Sequence, residues 1–208
     1  VMLLCAVLIE FEYVYQKEIF EMKYILVIDH ISTGGAERIL LDYYHYLVRN
    51  SHNVKIFCLT RYEGQSQWTK GIDVVYGSSV DQNNLLKKTL QQRSVKRRLQ
   101  QLVDEVNPDV VFSFLEKSNL LVGKLTTSAA KVMTVHNVLS IQYTKVRNPL
   151  VRNLVYRMIR KCYNKCPHVV AVSQQVKQDL VESFGVKTEN VSVINNYVDR
   201  ERSEERRV

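Results

Sequence analysis

The sequence predicts an α/β fold, a parallel sheet with helices on both faces, and three observations carry that reading. From Tyr24 onward, short β-branched runs alternate with longer segments of helical period, the signature of repeated strand-helix units. The first run, Tyr24 to Ile28, is continuous and apolar, as a strand covered on both faces should be. Two of the chain's seven glycines, Gly34 and Gly35, stand together between the first run and the first helical segment, where the chain has to turn sharply.

Tyr24 to Ile28 is the first strand and reads as central. Behind the glycines, Ala36, Ile39, Leu40, Tyr43, Tyr44, Leu47 and Val48 recur at three- and four-residue spacing, so a helix with one buried stripe follows. Val54 to Leu59 is the second strand and Ile72 to Tyr76 the third. A long polar helix from about Asn83 to Val106 stops before Pro108, whose ring cannot continue it. Asp109 to Phe114 is a strand, Ser118 to Thr127 a short helix, and Lys131 to Val135 a strand that breaks at His136 and Asn137. A loop rich in Asn, Gln and Thr runs to Pro149 and gives way to a basic helix, Leu150 to about Asn164. His168 to Val172 is a strand that delivers Ser173 as the N-cap of a helix, Gln174 to Phe184, closed by Gly185. Val191 to Ile194 is the last strand.

The 208 residues are 46% hydrophobic and 24% charged, a globular balance that excludes disorder as the default. Three prolines and seven glycines leave little material for a linker, so one main domain, residues 22–199, is expected. The opening stretch VMLLCAVLIEF is shorter than the roughly 20 apolar residues that cross a bilayer, lacks a basic leader region, and is expected to be an extension upstream of a natural start at Met22. If residues 1–21 are native, a short helix packed on the domain is expected there. The tail, residues 200–208, has no apolar face. Cys5, Cys58, Cys162 and Cys166 match no disulfide or zinc pattern and read as reduced thiols of a cytoplasmic protein. The net charge of +8 attracts polyanions, whether nucleic acid, anionic lipid headgroups or phosphorylated small molecules.

A strand, a glycine turn and a helix N-terminus together form an anion site, because backbone amides can approach a phosphate where no β-carbon intervenes. Gly34 and Gly35 would supply that surface; a tight turn with no ligand is the alternative. The dinucleotide fingerprint and the Walker lysine are both absent. Glu116, His136 and Ser173 also follow strands and so belong to the same edge of the sheet, where ligands of open parallel sheets bind. His136 can donate to a sugar hydroxyl or a developing charge, or only bond nearby backbone. Asn137 suits hydroxyl recognition or a turn, Glu116 a substrate hydroxyl or an exposed position beside Lys117, and Ser173 a ligand or a cap. Glu37 complements the helix dipole. The basic helix carries Leu150, Val151, Leu154, Val155, Met158, Ile159 and Cys162 to one side. That pattern fits a core-packed helix with a solvated basic face, or contact with anionic lipid aided by Lys145, Arg147 and Lys96 to Arg98. Nucleic acid is disfavoured, since no binding module or interleaved aromatics accompany the charge.

With STGGAER after the first strand, TVHN after a middle strand and VVAVSQQVKQDL leading to VSVINNYVD, the chain resembles the N-terminal, acceptor-side domain of the family 4 glycosyltransferases of the GT-B fold. The resemblance implies two Rossmann-like domains across a cleft and a hexosyltransferase that moves sugar from a nucleotide-sugar donor with retention of configuration, as in polysaccharide biosynthesis. It assigns Gly34 and Gly35 to the donor diphosphate and His136 to the neighbourhood of the transferred sugar, leaving Asn137, Glu116 and Ser173 for acceptor or sugar. No metal or cofactor is implied. The implied partners are a glycan or lipid-linked acceptor, an anionic surface at the inner face of the cell membrane, and a C-terminal domain with paired glutamates, which the sequence lacks beyond NNYVD. Alone, the chain is expected to transfer sugar poorly or not at all. A non-catalytic module holding a glycan or lipid-linked acceptor is the alternative function, and a nicotinamide-dependent oxidoreductase keeps a small share.

Overall fold

The computed structural model describes residues 21–32, 34–61, 69–78 and 85–195, the side chains of 85–90 excepted. The expected extension, apart from Glu21, and the C-terminal tail lie outside the described residues. In order, the elements are β1 (Lys23–Ile28), α1 (Gly35–Arg49), β2 (Asn53–Thr60), β3 (Val74–Ser78), α2 (Leu85–Val106), β4 (Val110–Phe114), α3 (Glu116–Val122), β5 (Ala130–Val135), α4 (Leu139–Thr144), α5 (Pro149–Tyr163), β6 (His168–Ala171), α6 (Gln174–Glu182) and β7 (Val191–Val193). The strands form a seven-stranded sheet in the order β3-β2-β1-β4-β5-β6-β7, and every pairing is parallel. This is the Rossmann-like α/β sheet that the sequence predicts.

β1 lies inside the sheet, between β2 and β4, because it has no side that tolerates water: Tyr24 to Ile28 are all buried. Its side chains alternate between two cores, as strand geometry requires. Ile25 and Val27 join Leu99 of α2, Val122 of α3, Ile159 of α5 and Leu180 of α6 on one face. Tyr24, Leu26 and Ile28 meet Leu40 and Leu47 of α1 on the other. There Tyr43, Phe112 and Phe114 pack ring against ring at 5.1 to 5.9 Å, beneath the edge where the strands end.

Long-range contacts shift several boundaries. The polar loop expected before Pro149 contains α4, because the Asp179 carboxylate of α6 accepts from Ser140 N–H at 3.1 Å and Leu139 is buried. α3 starts two residues earlier than expected and ends sooner. Asp29, beyond β1, accepts from Ser118 N–H at 2.7 Å and fixes the first turn. β3 runs two residues further along than expected. The stripe expected on one side of the basic helix is too wide for one contact surface. Ile159 and Tyr163 are buried, whereas Leu150, Val151, Leu154 and Met158 are exposed.

Gly77 of β3 is where backbones approach most closely: an added Cβ would stand 2.7 Å from Val95 Cγ1 and 2.9 Å from the Leu59 carbonyl oxygen. A carbonyl in a ladder cannot retreat, so Gly77→Ala is expected to destabilise the domain by about 1–3 kcal/mol in urea unfolding. Gly35→Ala, where an added Cβ meets nothing within 4 Å, is expected to stay within about 0.5 kcal/mol.

Candidate functional site

The register of the sheet gathers the chemistry. Ile28, Phe114, Thr134 and Val170 lie on one level across β1, β4, β5 and β6. His30, Glu116, His136 and Val172 each lie two residues beyond that level. Gly34, Asn137 and Ser173 follow the same strand ends, so the edge predicted from sequence is formed by adjacent strands.

At the first strand end, Gly34 is the N-cap of α1 and, having no side chain, makes no side-chain cap bond itself. Gly35 is exposed. Glu37 does more than complement the dipole. Its buried carboxylate folds back beside Gly34, where it would clash with any added Cβ. It accepts from Ser32 Oγ at 2.8 Å and lies 3.4 Å from His30 Nε2. The open face of the turn is therefore at Gly35.

The neighbouring ends of β1 and β4 are acidic. Asp29 Oδ1 accepts from both the N–H and the hydroxyl of Ser118, at 2.7 and 2.6 Å. Burial pushes its pKa above the ordinary carboxylate value, and the Ser118 hydrogen bonds offset part of the rise. Glu116 is buried, not exposed beside Lys117, and among the described residues its Oε1 has no hydrogen-bond partner. Burial raises its pKa too, with the charge of Asp29 adding to the effect. Tyr143 of α4 feels both carboxylates, and burial, followed by these charges, pushes its hydroxyl up to about 12. Leu115, just before Glu116, has φ 73° and ψ 160°, a region almost confined to glycine and costing about 1–3 kcal/mol. That turn aims Glu116 inward.

His136 sits on a fixed support. Its ring stacks on Phe114, centroids 6.0 Å apart, and its Nε2 lies 2.9 Å from Thr134 Oγ1. The Thr134 hydroxyl spends its only proton on the Ser113 carbonyl oxygen, at 2.9 Å. It must therefore accept from Nε2–H, which leaves Nδ1 as the acceptor of a neutral imidazole. Burial lowers the pKa of His136 to about 4, opposed by the charge of Glu37. The ring that the sequence suggests as a donor toward ligand thus presents an acceptor. Asn137 is exposed beside it, and Ser173 is occupied as a cap, accepting from Val176 N–H at 3.2 Å.

A family model described as Glycosyltransferase Family 4 matches residues 33–202. The chain belongs to glycosyltransferase family 4. Solved structures share its fold. The lipopolysaccharide outer core galactosyltransferase WaaB is 18% identical with a TM-score of 0.63, and the match covers 86% of this chain and 46% of that one. The Anabaena protein HepE, solved with UDP and glucose, is 16% identical with a TM-score of 0.61, covering 86% and 45%. Sucrose-phosphate synthase from Thermosynechococcus elongatus is 10% identical with a TM-score of 0.66, covering 86% and 49%. This chain therefore spans about half the length of these proteins, as an N-terminal domain of the family does. No curated protein matches it significantly.

In this family 4 domain, several residues that shape the edge carry no sequence signal. Asp29 and Thr134 lie at apolar strand ends, and Asn119 lies inside a short helix. Wholly buried, Asn119 Oδ1 accepts from Ser113 Oγ at 2.7 Å. Its amide donates to the Thr134 carbonyl at 2.8 Å and to the Tyr163 hydroxyl at 3.1 Å. It binds β4, β5 and α5 together under His136.

Two outcomes follow from the imidazole. Long-range proton-nitrogen spectra are expected to show His136 neutral and protonated on Nε2 at pH 7. Thr134→Ser is expected to keep that tautomer, while Thr134→Val releases it at a cost of about 1–2 kcal/mol. Between the ordinary histidine value of 6.5 and the folded value of about 4, only the unfolded chain takes up this proton as pH falls. Stability relative to His136→Gln is therefore expected to drop over that window, by at most about 1.4 kcal/mol per pH unit, and to level off below it. The raised carboxylates act in the opposite sense and cancel in the comparison of the two proteins.

Proposed function

We propose that this chain is the acceptor-side domain of a hexosyltransferase that moves a sugar from a nucleotide-sugar donor to a hydroxyl of a glycan or lipid-linked acceptor, with retention of configuration. The observation that carries the proposal is the pairing, on one sheet edge, of the glycine N-cap and exposed Gly35 of α1 with a neutral imidazole whose acceptor nitrogen is fixed by Thr134.

The roles follow from charge. Diphosphate oxygens approach the amides at Gly34 and Gly35, where the helix dipole favours negative charge and no β-carbon intervenes. They keep to the Gly35 side, away from the Glu37 carboxylate. A sugar hydroxyl donates to His136 Nδ1, and the neutral ring does not attract the phosphate away from the helix. Glu116 Oε1 takes an acceptor hydroxyl, which would supply the partner it lacks. Asn137 offers its amide at the rim, and Ser173 holds α6 in place. One wall of a cleft cannot meet all the charge on a leaving diphosphate, so the reading requires a second domain, in cis or in trans. No metal or cofactor enters it.

The UDP and glucose of HepE and the lipopolysaccharide chemistry of WaaB support a nucleotide-sugar donor and a lipid-linked acceptor. Among the described residues no helix is long and apolar enough to cross a membrane. The reading places the protein in the cytoplasm, at the inner face of the cell membrane.

A screen of nucleotide sugars against the protein together with its C-terminal domain tests the proposal. Transfer is expected from at least one donor, with negligible turnover by the 208-residue chain alone. His136→Ala is expected to lower kcat about 10²-fold with the fold intact. Unchanged turnover in that variant removes His136 from the mechanism, and the absence of transfer from every donor overturns the reading.

A further inference from the structure

Glu37 stands where the two halves of the proposed donor site meet. It lies in the first turn of α1 and is only 5% exposed. Its carboxylate accepts from the Ser32 hydroxyl at 2.8 Å and faces His30 Nε2 at 3.4 Å. On the glycine side its Oε1 would stand 3.1 Å from a Cβ added at Gly34, so the carboxylate lines the turn itself. It is also within electrostatic reach of His136, because its charge opposes the fall in the pKa of that ring. α1 and the imidazole share one aromatic support: Phe114 meets Tyr43 of α1 at 5.9 Å and carries the His136 ring at 6.0 Å.

That carboxylate limits what the space beside it tolerates. Among the described residues no lysine or arginine pairs with it, and a negative group withdrawn from water repels a second one more strongly than it would in solution. His136 selects in the same direction. With its proton on Nε2, the Nδ1 lone pair receives a hydroxyl proton but offers nothing to a deprotonated phosphate oxygen. A neutral sugar is compatible with both groups. A terminal phosphate in the place of the sugar, with a charge of about −1.5 to −2 at pH 7, is compatible with neither. Nucleoside triphosphates are the molecules that present this difference, since they share the base, ribose and first two phosphates of a nucleotide sugar and carry a third phosphate where the sugar belongs.

We infer that Glu37 is a specificity-determining residue that keeps nucleoside triphosphates out of the donor site. It acts by repelling the wrong ligand, so the diphosphate moiety on the Gly35 side binds nearly as well with it as without it. Resting on the proposed nucleotide-sugar donor, this role adds a competitor that the site rejects. It also accounts for the burial of the carboxylate: complementing the helix dipole requires an acid in the first turn, but not one folded back on Gly34 and held there by Ser32.

Titration calorimetry of the protein together with its C-terminal domain tests it, with the diphosphates and triphosphates of uridine, guanosine and adenosine as probes and divalent cations chelated. The parent is expected to bind at least one diphosphate about tenfold or more tightly than the matching triphosphate, and that preference is expected to narrow as salt is raised. Glu37→Gln keeps the shape of the side chain and an acceptor for Ser32. It is expected to tighten the triphosphate about tenfold and to change the diphosphate by less than about twofold, whereas Glu37→Asp, which keeps the charge, is expected to keep the preference. A parent that binds the triphosphate as well as the diphosphate, or a preference that widens with salt, overturns the inference without any variant. So does a Glu37→Gln protein in which both nucleotides change equally or the triphosphate does not tighten, and in these cases diphosphate binding leaves the donor reading in place. Binding of no nucleotide by the parent overturns the donor reading and this role with it.

Discussion

A sheet whose strands all run the same way forces every crossover to leave from one edge and return at the other. That constraint organises this molecule. It sends Asp29 and His30, Glu116, and His136 out of neighbouring strands side by side, although they are far apart in sequence. It also requires a sharp turn at each exit, and the exits solve that demand differently. Gly34 and Gly35 make the first turn, Leu115 makes the second at positive φ, and Ser173 caps the last. The side chains at these exits are oriented by the turns themselves, and Asn119 then ties the underlying layers so that the edge holds its shape.

Much of this architecture can be read in the chain because it depends on local preference. The unbroken apolar run of β1, the stripe of α1, the Ser173 cap and the closing Gly185 each depend on neighbours a few residues away. α4 does not, since it starts where Asp179 reaches Ser140 from another helix, and α3 begins where Asp29 meets Ser118 across the sheet. The basic helix shows a different limit: periodicity gives the width of an apolar stripe without showing that two surfaces share it. At the site, the glycines and His136 stand out through motif and position. Glu37, Asp29 and Glu116 look like ordinary acidic residues until burial gives them meaning. The tautomer of His136 is set by a carbonyl group, which leaves no trace in the order of amino acids.

Charge is partitioned across the protein. The Glu37 and Glu116 carboxylates at the sheet edge are buried, while Arg157, Arg160 and Lys161 of α5 are exposed, and Tyr143 of the intervening α4 feels the Glu116 charge and meets the Tyr156 ring of α5. This arrangement connects the proposed chemistry of the edge with the outer surface of the fold, and it does so within a short segment running from His136 to Met158.

The raised pKa that burial gives both Asp29 and Glu116 has a consequence for whatever settles beside them. Two acids sheltered together resist carrying two negative charges, so a guest rich in oxygen changes their share of hydrogen ions when it arrives. Occupancy then becomes a three-body equilibrium among protein, guest and proton, and the heat released on filling the cleft will vary with the ionisation enthalpy of the surrounding buffer.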